Sequence, residues 1–352
     1  MIPTPQILLA AAAALTLSAV ANAGTFYVDA GLTTGAGNGS SWQDAYRGSV
    51  GLQLALSAAG SGDEIYVAAG TYLPSPTGSR TTSFTLENGL AIYGGFLGGE
   101  TSPAERPPFG TAPSVLQGDL AGNDGSNIFT DNSFHVVNAA STNASAILDG
   151  FVVANGNANG TGNNDVGGGI LCLASSNSTI RNCVFVGNRC TFGGGAGYIN
   201  GSAPSFTNCS FIDNDGGSFG GAFDIANAGA ARFDRCLFRG NRAARAGALE
   251  VFATTGVIVS NSVFHQNTAT GASGGGALWI GSGGSTQVRY CTIVANSATS
   301  QAVGGLRNQS STVSVVGCIF WDNSGTGGAQ AAGNQVNTAV TYSIVEGGAA
   351  GV

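Results

Sequence analysis

Two carboxylates stand at matching places in neighbouring Gly-rich segments: Asp224 in GGAFDI and Glu250 in AGALEV, 26 positions apart. Counting three residues past the second Gly of each such segment gives the series Cys172, Tyr198, Asp224, Glu250, Trp279 and Asn308. If the segments stack, these side chains form one outward column. Paired carboxyl groups about 5 Å apart suit retaining glycoside hydrolysis, and their mutual repulsion raises one pKa so that it can act as the acid. Tyr198 and Trp279 would offer ring faces to sugars, with Asn308 as a further contact. Arg245, just before the Glu250 strand, could hold an acidic sugar's carboxylate with two parallel hydrogen bonds. A plainer reading competes. Outward columns carry varied residues, aromatic next to acidic is ordinary surface, and like charges one rung apart repel unless a cation or proton lies between them.

A second group of candidates is the loop GDLAGNDG, which brings Asp119, Asn123 and Asp124 together, with Asp131 following. Oxygen-rich loops of this kind can hold Ca2+, the one cofactor the chain suggests. They form tight turns equally well, because Asp, Asn and Gly suit such bends, and the spacing lacks a regular calcium-loop pattern. Zinc signatures, phosphate-cradling loops and nucleophile elbows are absent from the sequence. His135 in SFHVV and His265 in VFHQN read as structural.

What must position the column is a repeat. NCVFVGN from Asn182 is followed by NCSFIDN, RCLFRGN, NSVFHQN, YCTIVAN and GCIFWDN. Aligned on the Cys site, the series is Gly150, Cys183, Cys209, Cys236, Ser262, Cys291, Cys318 and Ser343; after a first interval of 33 the steps lie between 25 and 29. A fixed period of this size signals a repeat architecture. An apolar residue precedes the site by three (Ile147, Ile180, Phe206, Phe233, Val259, Val288, Val315, Val340). Another follows by two (Val152, Phe185, Phe211, Phe238, Phe264, Ile293, Phe320, Val345), and Asn closes most segments from Asn155 to Asn323. Steps of two are strand periodicity; a step of three needs a bend that resets the alternation. Alternation resumes after each Gly pair with Leu171/Leu173, Phe223/Ile225, Leu249/Val251 and Leu278/Ile280. Each repeat thus supplies about three short strands that cannot bury their apolar face alone. The solution is an all-β chain wound as a right-handed parallel β-helix, with like residues stacked about 4.8 Å apart. Cys, Phe and Asn are then one coil's share of three internal ladders. Cys183, Cys209 and Cys236 are expected as free thiols; Cys172 and Cys190, off the ladder, could pair.

Composition agrees. There are 58 Gly in 352 residues and only 9% charged residues, which favours turns over long helices and apolar burial over disorder. All twelve basic residues are Arg, and the net charge of −7 argues against a nucleic-acid partner; the cluster Arg232, Arg235, Arg239, Arg242 and Arg245 reads as a solvated surface. Residues 1–23 read as a secretory signal peptide, an apolar run ending in Ala21-Asn22-Ala23. No later stretch is apolar enough to span a bilayer. Residues 24–145 are expected to form an N-terminal cap and irregular first coils, and 146–352 the regular coils. Leu52, Ala55, Leu56 and Ala59 have helical spacing for a short helix over the first coil, ahead of a first rung at Asp63–Pro74. The Pro-rich TSPAERPPFGTAPS is an excursion loop.

The GGA-apolar and F-x-x-N signatures resemble the repeats of polymorphic outer membrane proteins. With the opening FYVDAGLTTGAGNGSSWQDAY…DEIYVAAGTY, the chain resembles a bacterial secreted β-helix protein of the pectin-lyase-like superfamily. The resemblance implies export to the extracellular space or cell surface, and binding of a polysaccharide or surface macromolecule. It also admits a polysaccharide lyase or glycoside hydrolase, because this architecture hosts many activities. Two departures count against the enzyme. The Lys base common in such lyases has no counterpart, leaving Arg239, Arg242 or Arg245, and the G-H-G motif of polygalacturonase-like hydrolases is absent. The C-terminal barrel of polymorphic membrane proteins has no counterpart in these residues, so the expectation is either a chain without that anchoring device or a truncated one. The expected role is an adhesin-like binding or structural module.

Overall fold

The computed structural model describes residues 23–227, 230–299, 302–326 and 338–347; the leader expected at the N-terminus lies, but for Ala23, outside the described residues. Its strands pair in parallel throughout and build three long faces, sheets of twelve, ten and eight strands. One coil shows the order: Ser205–Thr207 on the first face, Ser210–Ile212 on the second, Phe223–Ala226 on the third. Each strand pairs with its counterpart one repeat on, as in Phe206↔Phe233, Phe211↔Phe238 and Phe223↔Leu249. The chain is a right-handed parallel β-helix.

The bend demanded by the three-residue step is a single left-handed residue. Asn182, Asn208, Arg235, Asn261 and Tyr290 lie between the first two faces with φ of 51–54°. Such a residue turns the chain so that the side chains on either side of the bend, Phe206 and Cys209 for example, both point inward. Asn tolerates this conformation because its short polar side chain can bond locally, whereas other L-residues lose roughly 1–2 kcal/mol there.

Inside, the ladders follow. Phe211 and Phe238 are 4.9 Å apart, and Phe238 and Phe264 4.5 Å apart with nearly parallel rings. Asn188, Asn214, Asn241, Asn267, Asn296 and Asn323 form a buried amide ladder. In it Asn214 Nδ2 donates to Asn241 Oδ1 (2.9 Å) and to the Phe185 carbonyl (3.0 Å), and Asn241 repeats the pattern with Asn267 and Phe211. Each amide so satisfies backbone groups that the bend leaves without a strand partner. All seven cysteines are buried free thiols, including Cys172 and Cys190.

The alignment needs one correction in its first coil. Leu148 pairs with Ile180, and Val153 with Phe185, so Phe151 stands at the Cys site, not Gly150. Leu148 and Val153 are the inward residues, in place of Ile147 and Val152. Asn155 carries the left-handed φ of 61° that belongs to the position before the ladder, which begins at Asn188. The slip arose because Gly150 occupies the left-handed bend, where later coils carry Asn, Arg or Tyr and, at Gly317, Gly again.

At the N-terminal end the helix Gly51–Ala58 buries Leu52, Ala55 and Leu56 among Val28, Ile65 and Phe84. The strand at Glu64–Ala68 is not the first rung: Thr25–Asp29 pairs below it and Tyr46–Arg47 below that. FYVD alternates over too few residues to have stood out.

Candidate functional site

The third face presents the column, and its register corrects both ends. Tyr198 pairs with Asp224, Asp224 with Glu250, and Glu250 with Trp279. Below Tyr198 stands Leu171, and above Trp279 stands Arg307. Cys172 points into the core, so the inward pair of that coil is Ile170/Cys172 and not Leu171/Leu173. Asn308 is also inward and buried: it donates to the Ser311 carbonyl (2.9 Å) and to Thr338 Oγ1 (2.8 Å). Counting from the second Gly failed where the next position, Ala in four coils, is itself Gly at Gly169 and Gly305. Ala and Gly fill this small-residue column interchangeably.

The Gly pair has two separate causes. Its first member takes a left-handed φ at Gly167, Gly194 and Gly220. Its second has no room: an ideal Cβ on Gly221 would lie 2.0 Å from the Gly247 carbonyl oxygen, and one on Gly247 1.9 Å from that of Gly276. The chain therefore crosses close over the next coil before entering the third face.

This crossing roofs the column. A Cβ on Gly193 would lie 2.3 Å from Asp224 Oδ2, and Gly193 forms a parallel bridge to Phe219. Asp224 retains only 4% of its surface, Glu250 1% and Trp279 3%, while Tyr198 is half-buried. Arg245, at the roof position of its coil, folds inward. Its Nε donates to Glu250 Oε1 at 2.9 Å, and its NH2 donates to the same oxygen. The guanidinium lies over Phe219 at 4.3 Å and over Trp279 at 4.2 Å. Phe252 stacks on Trp279 at 6.4 Å. Glu250 Oε2 and the Trp279 indole N–H are buried without a hydrogen-bond partner.

One cation thus faces two buried carboxyls. Burial, then the charge of Glu250, push Asp224 up to about 8, against the opposing pull of Arg245. Burial also raises Glu250, with Arg245 opposing. Glu250 holds the Arg245 bonds, so it carries the charge and Asp224 keeps the proton at neutral pH. Phe219 and Phe252 were missed in the sequence; the clue to Phe219 was an aromatic directly before a Gly pair in both TFGGG and SFGGA.

Two further places bear on chemistry. A cleft of about 240 Å³ lies between the Pro-rich excursion and the first bend, lined among others by Arg106, Phe109, Asp149 and Asn182. Asp149 is buried and bonded by Arg106 (3.3 Å), Arg181 (2.7 Å) and Asn182 (2.8 Å), so Arg106 ties the excursion to the coils. In the other, the Asp119 carboxylate accepts from the backbone N–H of Gly122, Asn123 and Asp124. Asp124 accepts from Asn132 Nδ2, and Asp131 from Ala121 N–H. Burial, with the charges of Asp119 and Asp131, raises the Asp124 pKa. All of these bonds lie within residues 119–132. His135 is buried against the Gly167 carbonyl (2.9 Å).

Residues 169–352, just over half of the chain, match the family model described as a right-handed beta helix region. The chain belongs to that family. No curated protein matches it. Among solved structures it is similar to a pectate lyase, Pel9A, at 15% identity and a TM-score of 0.49, over 92% of this chain and 80% of that one.

Proposed function

We propose that this protein is a secreted or cell-surface binding and structural module, adhesin-like, that docks glycans or other macromolecules along the outer faces of its β-helix. The observation that carries this reading is the roof. Asp224 and Glu250, the paired carboxylates with the spacing for sugar chemistry, are nearly sealed from solvent, and Arg245 is turned onto Glu250. A polymer cannot reach them as they stand. Among the described residues no helix is long and apolar enough to cross a membrane.

A second reading is a lyase or hydrolase acting on an acidic polysaccharide, favoured by one observation. A protonated Asp224 beside a charged Glu250 separates two carboxyl groups into acid and base, as hydrolysis needs. In that reading Arg245 holds the substrate carboxylate and Tyr198 and Trp279 carry sugar rings. Ca2+ at Asp119 and Asp124 would have to displace the backbone N–H bonds that the Asp119 carboxylate accepts and the Asn132 Nδ2 bonds that the Asp124 carboxylate accepts.

One experiment separates the readings: purified protein is incubated with a panel of acidic polysaccharides, with and without calcium, while retention on the same polysaccharides is measured. Retention without unsaturated or reducing ends supports the binding module. Ends that form and vanish in Asp224→Asn and Glu250→Gln establish the enzyme instead. Neither retention nor product removes both.

A further inference from the structure

We propose that the corner between the first and second faces is the docking track for one extended, neutral polysaccharide chain lying parallel to the helix axis, with the exposed rings of Tyr290 and Tyr342 as its sugar platforms. This inference rests on the glycan-binding reading above and gives it a place and a ligand class.

The track is the column of left-handed residues at that corner. Asn182, Asn208, Arg235, Asn261, Tyr290 and Tyr342 occupy one and the same bend with φ of 51–54°, and Gly150 and Gly317 complete the row. The strand residues just before them pair in register from Asp149 through Arg181 and Thr207 to Val316 and Thr341. The bends therefore follow one another along the axis at about 4.8 Å, as a straight edge and not a scattered patch.

Two residue choices in this row point to a ligand. A bulky side chain is a rare occupant of the left-handed region, which Asn tolerates. Tyr290 and Tyr342 nevertheless take it, and they stay 63% and 94% exposed. Burial does not account for a strained backbone that displays a ring to solvent, and such strain gathers at binding sites. Between them stands Gly317, where a Cβ would lie 2.6 Å from Tyr290 Cδ1 and 2.8 Å from its Cε1. The missing side chain lets the Tyr290 ring reach over the next bend, toward Tyr342. Two exposed rings thus stand on one edge, on bends two rungs or about 10 Å apart, and the C–H faces of successive sugars can stack on them.

The rest of the edge offers hydroxyl partners. Asn182 Nδ2 donates to Asp149 Oδ1 (2.8 Å), Asn208 Nδ2 to Asn182 Oδ1 (2.8 Å) and Asn261 Nδ2 to Asp234 Oδ1 (2.7 Å), which holds a line of amides in place for sugar hydroxyls. At Gly150 and Asn182 the row runs into the cleft of about 240 Å³, beside the exposed ring of Phe109. The prolines of the excursion stiffen the cleft wall, and its size suits one sugar unit at the end of a chain. Charge selects the class. Arg106 and Arg181 lie 3.3 and 2.7 Å from the Asp149 carboxylate, Arg235 lies 3.3 Å from that of Asp234, and Arg289 is turned onto Gln287 Oε1. The cations at this corner are engaged, and a net charge of −7 repels a polyanion. Ring faces and amides are left, and these recognise a neutral polymer.

The test is affinity electrophoresis through gels containing xylan, hydroxyethyl cellulose or galactomannan, with polygalacturonate as the acidic contrast. It compares the unsubstituted protein, the double variant Tyr290→Asn/Tyr342→Asn, and Phe109→Ala. The expected result is retardation by at least one neutral polymer, weakened about ten-fold in the double variant. The urea midpoint of that variant should hold or rise, because Asn occupies the same bend in other coils. Retardation that survives both Tyr substitutions overturns the track and leaves the general glycan-binding reading standing. Retardation by polygalacturonate alone does the same to the ligand class. A lower urea midpoint with unchanged retardation also overturns the proposal, since the rings would then serve only the fold. No retardation in any gel removes the proposal together with the reading it rests on. Should the double variant fail to fold, Phe109→Ala decides: its retardation by the same neutral polymer must fall about three-fold, and an unchanged value sinks the track.

Discussion

Gly247 and Gly276 face each other across adjacent coils so closely that a Cβ on the first would sit 1.9 Å from the carbonyl oxygen of the second. The obstacle is backbone, which has nowhere to go without breaking the rungs on both sides. Gly247→Ala is therefore expected to lower stability by about 3 kcal/mol or more. Urea denaturation checks it, with Gly283→Ala as a contrast. Gly283 has open space around it and is strained only by its φ of 81°, so its loss should stay near 1–2 kcal/mol.

Asn241 is the middle of the amide ladder and bonds in both directions. Replacing it with Ala leaves the Phe211 carbonyl and the Asn214 backbone and side-chain N–H groups without their partners. Each buried group left unpaired costs on the order of 1–3 kcal/mol, so the expected loss is about 3–5 kcal/mol. The exposed Asn208, bonded to Asn182 at the outer bend (2.8 Å), should cost less than half as much on the same change. Paired denaturation curves of the two variants decide whether the ladder or the bend carries more of the stability.

The pair Arg245 and Glu250 is best read by a double-mutant cycle with Arg245→Met and Glu250→Gln. The guanidinium keeps 29% of its side-chain surface, so solvent screens part of the attraction. A coupling of about 1–3 kcal/mol at pH 7 is expected. A coupling near zero would mean that the Phe219 and Trp279 rings, and not the carboxylate, hold Arg245 in place.

The thiols provide a chemical readout of winding. Burial pushes Cys172 and Cys236 up to about 12 each and holds Cys209 well above the usual thiol range. Only thiolates react readily, so a thiol reagent at pH 8 should leave these three unmodified in the folded protein. In denaturant, all seven cysteines should react. Labelling mapped by peptide mass, coil by coil, checks both halves of this expectation.

Much of this architecture was legible in the residues themselves. The ladders could be read because each coil spends one residue type on one internal row, as Phe206, Phe233 and Val259 show. Legibility failed where a side chain gave no contrast. Gly169 and Gly305 look like members of a motif that they only neighbour, and one residue of slip reverses which way a strand's side chains face. That slip misplaced Cys172 and Asn308. The roof was illegible for a different reason: Gly193 over Asp224 and Phe219 over Arg245 are contacts between loops of successive coils, and nothing in a strand's alternation reports what lies on top of it.

The loops that form this roof also absorb the unevenness of the period. From Phe206 to Phe211, and again from Phe233 to Phe238 and from Val259 to Phe264, the spacing is constant at five; from the ladder to the third face it is eight between Asn241 and Leu249 but eleven between Asn267 and Leu278. The corner between the first two faces is a rigid template, and the approach to the third face is a margin where residues can be gained or lost without disturbing a single rung. Natural variation in such a molecule has one inexpensive place to act, and that place is the cover of its most unusual electrostatics.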